Sequence, residues 1–162
     1  MAKKSDRQID INLTGQFEVT VHEDGRLILP AEFRRQLAKA GVENLYVGKI
    51  PRTRAIVLCP PQLWDQWVSQ LVIQYPVLRN HAAARKYTTP HRTIGWDSQG
   101  RMSLPIDTWS QSGTRHWPRI VIFGKGTHLE LWPEEEFSNL VDELESLLAG
   151  SDQEQGADTG PD

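Results

Sequence analysis

The 162-residue sequence has one cysteine, Cys59. A single thiol excludes an intramolecular disulfide framework and any zinc site built on cysteine pairs. Cys59 sits in an apolar run, IVLC, and reads as a small core residue. No stretch approaches the roughly 18 uncharged apolar residues that a membrane-spanning helix requires. The opening MAKKSDRQIDINL lacks the apolar run and cleavage site of a secretory signal. The expectation is a soluble cytoplasmic protein without a membrane partner. Histidines 22, 81, 91, 116 and 128 show neither HxxxH nor HExxH spacing, so no metal is expected. Nucleophile-elbow, Walker and GxGxxG patterns are missing, and FGKGTH at 123–128 reads as a hairpin turn. No constellation therefore supports an enzyme, a cofactor or a small-molecule substrate.

The charge that is present is unevenly placed. Ten of the 21 acids lie in 134–162, a segment without Lys or Arg. The remainder holds eleven acids against all 18 basic residues, which leaves about seven positive charges in excess. A basic body suits a polyanionic partner; the acidic tail suits either a nucleic-acid mimic or a solubility device.

Self-similarity organises the rest. VTVHEDGRLILPAEFRRQL at 19–37 matches IGWDSQGRMSLPIDTWSQS at 94–112 with an offset of 75. Gly25-Arg26 aligns with Gly100-Arg101, and Leu29-Pro30 with Leu104-Pro105. LYV at 45–47 aligns with IVI at 120–122, then IVLCP at 56–60 with LELWP at 129–133, where the offset becomes 73. Such an ordered series marks a tandem duplication.

Each copy repeats one local logic. Alternating apolar residues (Val19, Val21; Ile94, Trp96) predict a half-buried strand. A turn follows, with Gly25 or Gly100 where positive φ is needed. A short second strand ends at Pro30 or Pro105, because proline cannot donate to a ladder but fits a first helical turn. A helix over AEFRRQLAKA, stopped by Gly41, follows in copy one; copy two degrades after Trp109 and supports one turn at most. Two further strands are predicted near 44–49 and 54–59, then near 119–124 and 127–132. A helix closes each copy: Leu63, Trp64, Trp67, Val68, Leu71, Val72 and Tyr75 form one apolar stripe, and Phe137, Leu140, Val141, Leu144, Leu147 and Leu148 another. The resulting division is a flexible N-terminus at 1–14, a first repeat at 15–76, a connecting helix or linker at 77–90, a second repeat at 91–148 and a disordered acidic tail at 149–162. One copy alone leaves exposed edges and little interior, so the two copies are expected to close a pseudo-twofold β-barrel with peripheral helices, an α+β fold that is mainly β. Head-to-tail association of such units closes a ring if the rotation permits.

The twice-present pattern strand-D-x-x-G-R-apolar-x-apolar-P resembles the SpoVT-AbrB swapped-hairpin family. The two-copy layout with a helix after each repeat is similar to the MraZ family of bacterial transcriptional regulators of the division and cell-wall gene cluster. The resemblance covers about residues 15–148. It implies two AbrB-like hairpins, a homo-oligomeric ring, association with the nucleoid and binding to repeated double-stranded promoter boxes. The second copy carries the full loop, Asp97-Ser98-Gln99-Gly100-Arg101; the first departs from it, with His22 at the leading Asp position and Asp24 two residues on.

Arg26 and Arg101 are the candidate DNA-reading residues. Arginine at a narrow hairpin tip donates two parallel hydrogen bonds to guanine O6 and N7, or clamps a phosphate. Asp24, Gly25, Asp97 and Gly100 are the candidate loop-positioning residues, and Arg34 and Arg35 the candidate phosphate contacts. A competing reading has Arg26 and Arg101 merely holding their turns by pairing with Asp24 and Asp97. The six tryptophans suit base stacking in principle, but Trp64, Trp67, Trp96 and Trp132 lie in helix-stripe or strand patterns that read as core or subunit contact. A ring-forming protein-interaction module without DNA is the alternative function, favoured by the Trp-rich helix faces and the acidic tail.

Overall fold

The computed structural model describes residues 9–104, 108 and 118–158. The fold is α+β, as the alternation of short strands and helical stripes implies. Eight strands are described: β1 (Gln16–Thr20), β2 (Arg26–Ile28), β3 (Leu45–Lys49), β4 (Ile56–Cys59), β5 (Arg92–Ile94), β6 (Arg101–Ser103), β7 (Arg119–Gly124) and β8 (Leu129–Pro133). The helices are α1 (Ala31–Lys39), α2 (Trp64–Gln74), the single-turn α3 (Arg85–Thr88) and α4 (Glu134–Asp158). The degraded helix expected after Trp109 lies outside the described residues.

Six strands form one antiparallel sheet in the order β1-β7-β8-β4-β3-β5, and β2 pairs with β6 in a separate two-stranded ladder. The order is a palindrome in the alignment of the copies. Val19 faces Ile120, and the positions 75 away, Ile94 and Leu45, face each other too. At the centre Val57 faces Glu130 and Leu27 faces Met102, each the sequence counterpart of its partner. Thus β1 and β2 both pair with strands of the second copy. Leu29 N donates to Gly100 O at 2.8 Å, and Leu104 N to Gly25 O at 3.3 Å.

Period-two alternation gives the large sheet two apolar faces. Leu45, Val47, Ile56, Leu58, Ile120, Ile122, Leu129 and Leu131 point inward, onto Phe33 and Leu37 of α1 and onto Leu27 and Met102 of the ladder. The other face presents Val57 and Cys59 to Leu63, Trp64, Trp67 and Leu71. Trp64 and Trp67 are therefore core, and Trp64 Nε1 donates to Thr88 O at 3.0 Å, pinning the connecting segment. Burial pushes the Cys59 thiol up to about 12. Iodoacetamide near pH 8 is expected to leave Cys59 unmodified in the folded chain and to alkylate it fully in denaturant, measured by intact mass. Rapid alkylation of folded protein would contradict that burial.

Four expectations need correction. No closed barrel forms among the described strands: β1 and β5 remain edges, because the chain turns at Glu23–Gly25 and spends β2 on β6 instead of on the large sheet. The N-terminal segment is not loose from residue 9 onward. Ile9, Ile11 and Leu13 alternate, Leu13 is fully buried, and its N–H and carbonyl both bond Gly126. The connecting segment is broken into two 3₁₀ turns, Pro76–Arg79 and Ala82–Ala84, before α3, since Pro76 removes a helical donor. Finally, α4 runs to Asp158 rather than ending near 148; Ser, Asp, Gln and Glu tolerate helix, and no proline intervenes before Pro161.

Candidate nucleic-acid interface

The ladder of β2 and β6 is only three residues deep, so its alternation decides what faces solvent. Leu27 and Met102 point into the core; Arg26, Ile28, Arg101 and Ser103 all point out. In this register Arg26 faces Ser103 and Ile28 faces Arg101. The two arginines are diagonal neighbours on one exposed surface, a relation that places backbone positions roughly 7–8 Å apart. Both line a shallow cleft of about 580 Å³ with His22, Glu23, Asp24 and Ile28. Their side chains are 66% and 61% exposed.

The turns that aim them share a backbone and differ in one carboxylate. His22 N donates to Arg26 O and Gly25 N to His22 O; Asp97 N donates to Arg101 O and Gly100 N to Asp97 O. Gly25 and Gly100 both have φ of 84°. In the second turn Asp97 Oδ1 accepts from Gln99 N and Arg101 N, while Oδ2 accepts from Arg101 Nε at 2.7 Å. The Arg101 side-chain hydrogen bond, followed by its backbone one, holds the Asp97 carboxyl below its ordinary value. In the first turn Asp24 supplies the missing carboxylate from two residues upstream: Oδ1 accepts from Arg26 N at 3.1 Å and Oδ2 lies 3.2 Å from Nε. His22 therefore costs the first loop its long-range carboxylate but not its arginine partner. In both turns the aspartate engages Nε, which directs the two Nη groups outward.

Arg34 and Arg35 are placed differently. Arg34, on α1, turns inward to donate from Nε to Leu29 O at 3.0 Å and from Nη1 to Ser98 O at 3.3 Å, tying α1 to the second-copy turn. Arg35 is exposed and paired with Glu32 one turn back. Ile28 and Ser103 belong to the surface without having been singled out in the sequence; the alternation of R-L-I and R-M-S was the available signal.

A polar cluster lies on the opposite face of the large sheet. Glu130 accepts from His128 Nε2 and Trp132 Nε1, each at 3.0 Å, and a carboxylate acceptor requires the His128 proton on Nε2. Burial pushes the Glu130 carboxyl up, but the His128 and Trp132 hydrogen bonds outweigh it and hold the group below its ordinary value. Tyrosine, glutamine and tryptophan side chains of α2 and its C-terminal end close this cluster in, away from the arginine surface.

The chain is thus an α+β protein with two arginines on one exposed ladder. Comparison with known proteins adds what it is similar to. The chain is 25% identical over 130 residues to the transcriptional regulator MraZ of Anaeromyxobacter sp. (strain Fw109-5), covering 80% of this chain and 88% of that one. It is 26% identical over 134 residues to MraZ of Natranaerobius thermophilus, covering 82% and 88%. It is 26% identical over 141 residues to MraZ of Bacteroides fragilis (strain ATCC 25285), covering 86% and 88%. No family model matches the chain. The chain is thus similar, over most of its length, to proteins named as transcriptional regulators of the MraZ kind, which are not enzymes.

Proposed function

We propose that this protein is a sequence-specific, double-stranded-DNA-binding transcriptional regulator of the MraZ type. It acts as a homo-oligomeric ring on repeated promoter boxes of the division and cell-wall gene cluster, in the cytoplasm and on the nucleoid. The two turns with β2 and β6 act as a pair of swapped AbrB-like hairpins related by a pseudo-twofold. The observation that carries this reading is the placement of Arg26 and Arg101 on one exposed face of the ladder, each held at Nε by an aspartate.

That geometry suits a major groove. Guanidiniums roughly 7–8 Å apart at their roots span about two base-pair steps of 3.4 Å. With Nε occupied, the Nη pair is left to address guanine O6 and N7. The aspartates thus position the arginines for recognition, so turn-holding and base contact are compatible roles. Arg35 sits at the edge as a phosphate contact; Arg34, spent on two carbonyls, supports the second turn and contributes charge only at a distance.

Fluorescence anisotropy with a duplex from upstream of the chain's own gene tests the reading. Affinity is expected to fall at least tenfold between about 50 and 200 mM salt, because phosphate neutralisation releases counterions. A salt-independent signal, or equal affinity for an unrelated duplex of the same length, overturns it.

A further inference from the structure

The helices that follow the two copies are aligned by the same offset of 73 as the strands before them. Trp64 corresponds to Phe137, Trp67 to Leu140, Val68 to Val141, Leu71 to Leu144 and Tyr75 to Leu148. Their surroundings are opposite. The α2 stripe is buried on the outer face of the large sheet. The first turn of α4 touches the body, where Phe137 meets Phe123 in a tilted pair with ring centroids 5.4 Å apart. From Ser138 to Ser151 every side chain is exposed, and Leu140, Val141, Leu144, Leu147 and Leu148 show 39–65% of their surface to solvent. A helix stripe with the spacing of a packed face, yet without a packing partner among the described residues, marks a docking element.

Among the described residues, the other large hydrophobics left exposed are Ile28 in the arginine surface and the pair Ile73 and Val77. That pair lies at the end of α2 and in the 3₁₀ turn after it. Its surroundings have the reverse charge of α4. Residues 66–96 contain no Asp or Glu, and Arg79, Arg85 and Lys86 are exposed there. The α4 segment contains Glu134, Glu135, Glu136, Asp142, Glu143 and Glu145 before residue 150, and no Lys or Arg.

We propose that the α4 stripe of one chain docks on the Ile73–Val77 patch of a second copy, in a head-to-tail contact. Three features select this occupant. Beyond its first turn the apolar stripe of α4 is exposed, with no partner among the described residues. Two α4 helices facing each other bring acid against acid, which disfavours a symmetric pair. One chain carries both an apolar acidic face and an apolar basic one, so each copy has a donor and an acceptor end. A contact of this heterologous kind closes into a ring or extends as a filament. The proposal rests on the ring reading above and supplies its contact surface.

Two cysteine substitutions test it in the full chain, since the buried Cys59 does not compete. Oxidised Ile73→Cys, Leu147→Cys protein is expected to give a ladder of covalent multimers on a non-reducing gel. Each single variant should stay monomeric on the same gel. Light scattering of an uncrosslinked set is the second arm. Leu144→Asp, Leu147→Asp and, separately, Ile73→Asp, Val77→Asp should each fall to the 18.4 kDa of one chain with unchanged circular dichroism. Mixing those two variants should yield a species of twice that mass, because one intact donor and one intact acceptor remain. Self-crosslinking by Leu147→Cys alone, survival of the oligomer in either aspartate variant, or a monomeric wild-type chain overturns the proposal. An assembled chain that fails to bind DNA overturns the regulatory reading and leaves this interface standing.

Discussion

Replacing Arg26 and Arg101 together by alanine is expected to lower affinity for the cognate duplex by about 30-fold to 2×10⁴-fold. A well-formed bidentate contact contributes about 1–3 kcal/mol of discrimination, and about 1.4 kcal/mol is a factor of ten. Two such contacts on one ladder give the stated range. The loss should fall on cognate rather than random DNA, so the specificity ratio collapses while residual binding stays salt-dependent. Arg35→Ala should behave differently, weakening all duplexes alike and reducing the salt slope by about one. Arg101→Lys retains the charge but not the fork, nor the Nε bond to Asp97, and should resemble Arg101→Ala in specificity. Anisotropy titrations of cognate and scrambled duplexes at one salt concentration separate these outcomes. Undiminished discrimination in the double variant would remove the arginines from the interface.

Gly100→Ala is expected to destabilise the fold by about 3 kcal/mol, lowering Tm by roughly 6–12 °C. Two costs add. At φ of 84° a residue with a Cβ loses about 1–2 kcal/mol. The new methyl would also stand 2.6 Å from Arg34 Nε and 2.9 Å from Leu29 O. The carbonyl belongs to backbone joined to Gly100 O through Leu29 N, so the Arg34 side chain must yield and give up its bonds to Leu29 and Ser98. In an Arg34→Ala background the further cost of Gly100→Ala should shrink toward the conformational part and the remaining contact with Leu29 O. Urea unfolding of the four proteins gives that coupling directly, and simple additivity would show that the two residues do not share the strain.

Much of the strand content was legible because alternation and the two G-R-x-x-x-P segments recur at a constant offset. The two arginines recur at that same offset, whereas the loop aspartates do not, since Asp97 aligns with His22 and Asp24 with Gln99. What was not legible depends on partners far along the chain. Arg34 looks like a surface base on a helix; a carbonyl 64 residues away turns it into a brace. The Ile9, Ile11 and Leu13 alternation is short and flanked by polar residues, and only the bridge to Gly126 shows that it completes the core. The barrel failed for a geometric reason, since an eight-strand count says nothing about where a ladder breaks. The reach of α4 past residue 148 reflects a missing stop signal, which is weaker information than a present one.

The palindromic strand order also governs how the chain acquires its shape. Neither copy contains a complete sheet, because β7 joins β1 to β8 and β3 joins β5 to β4. A half-formed species with one copy native and the other open has no stable edge to rest on. The two copies must condense in a single event that closes a separation of about 75 residues, a long-range topology that folds slowly and in all-or-none fashion. Any lesion in one turn is thus felt in both, and the twin fingertips appear or vanish together.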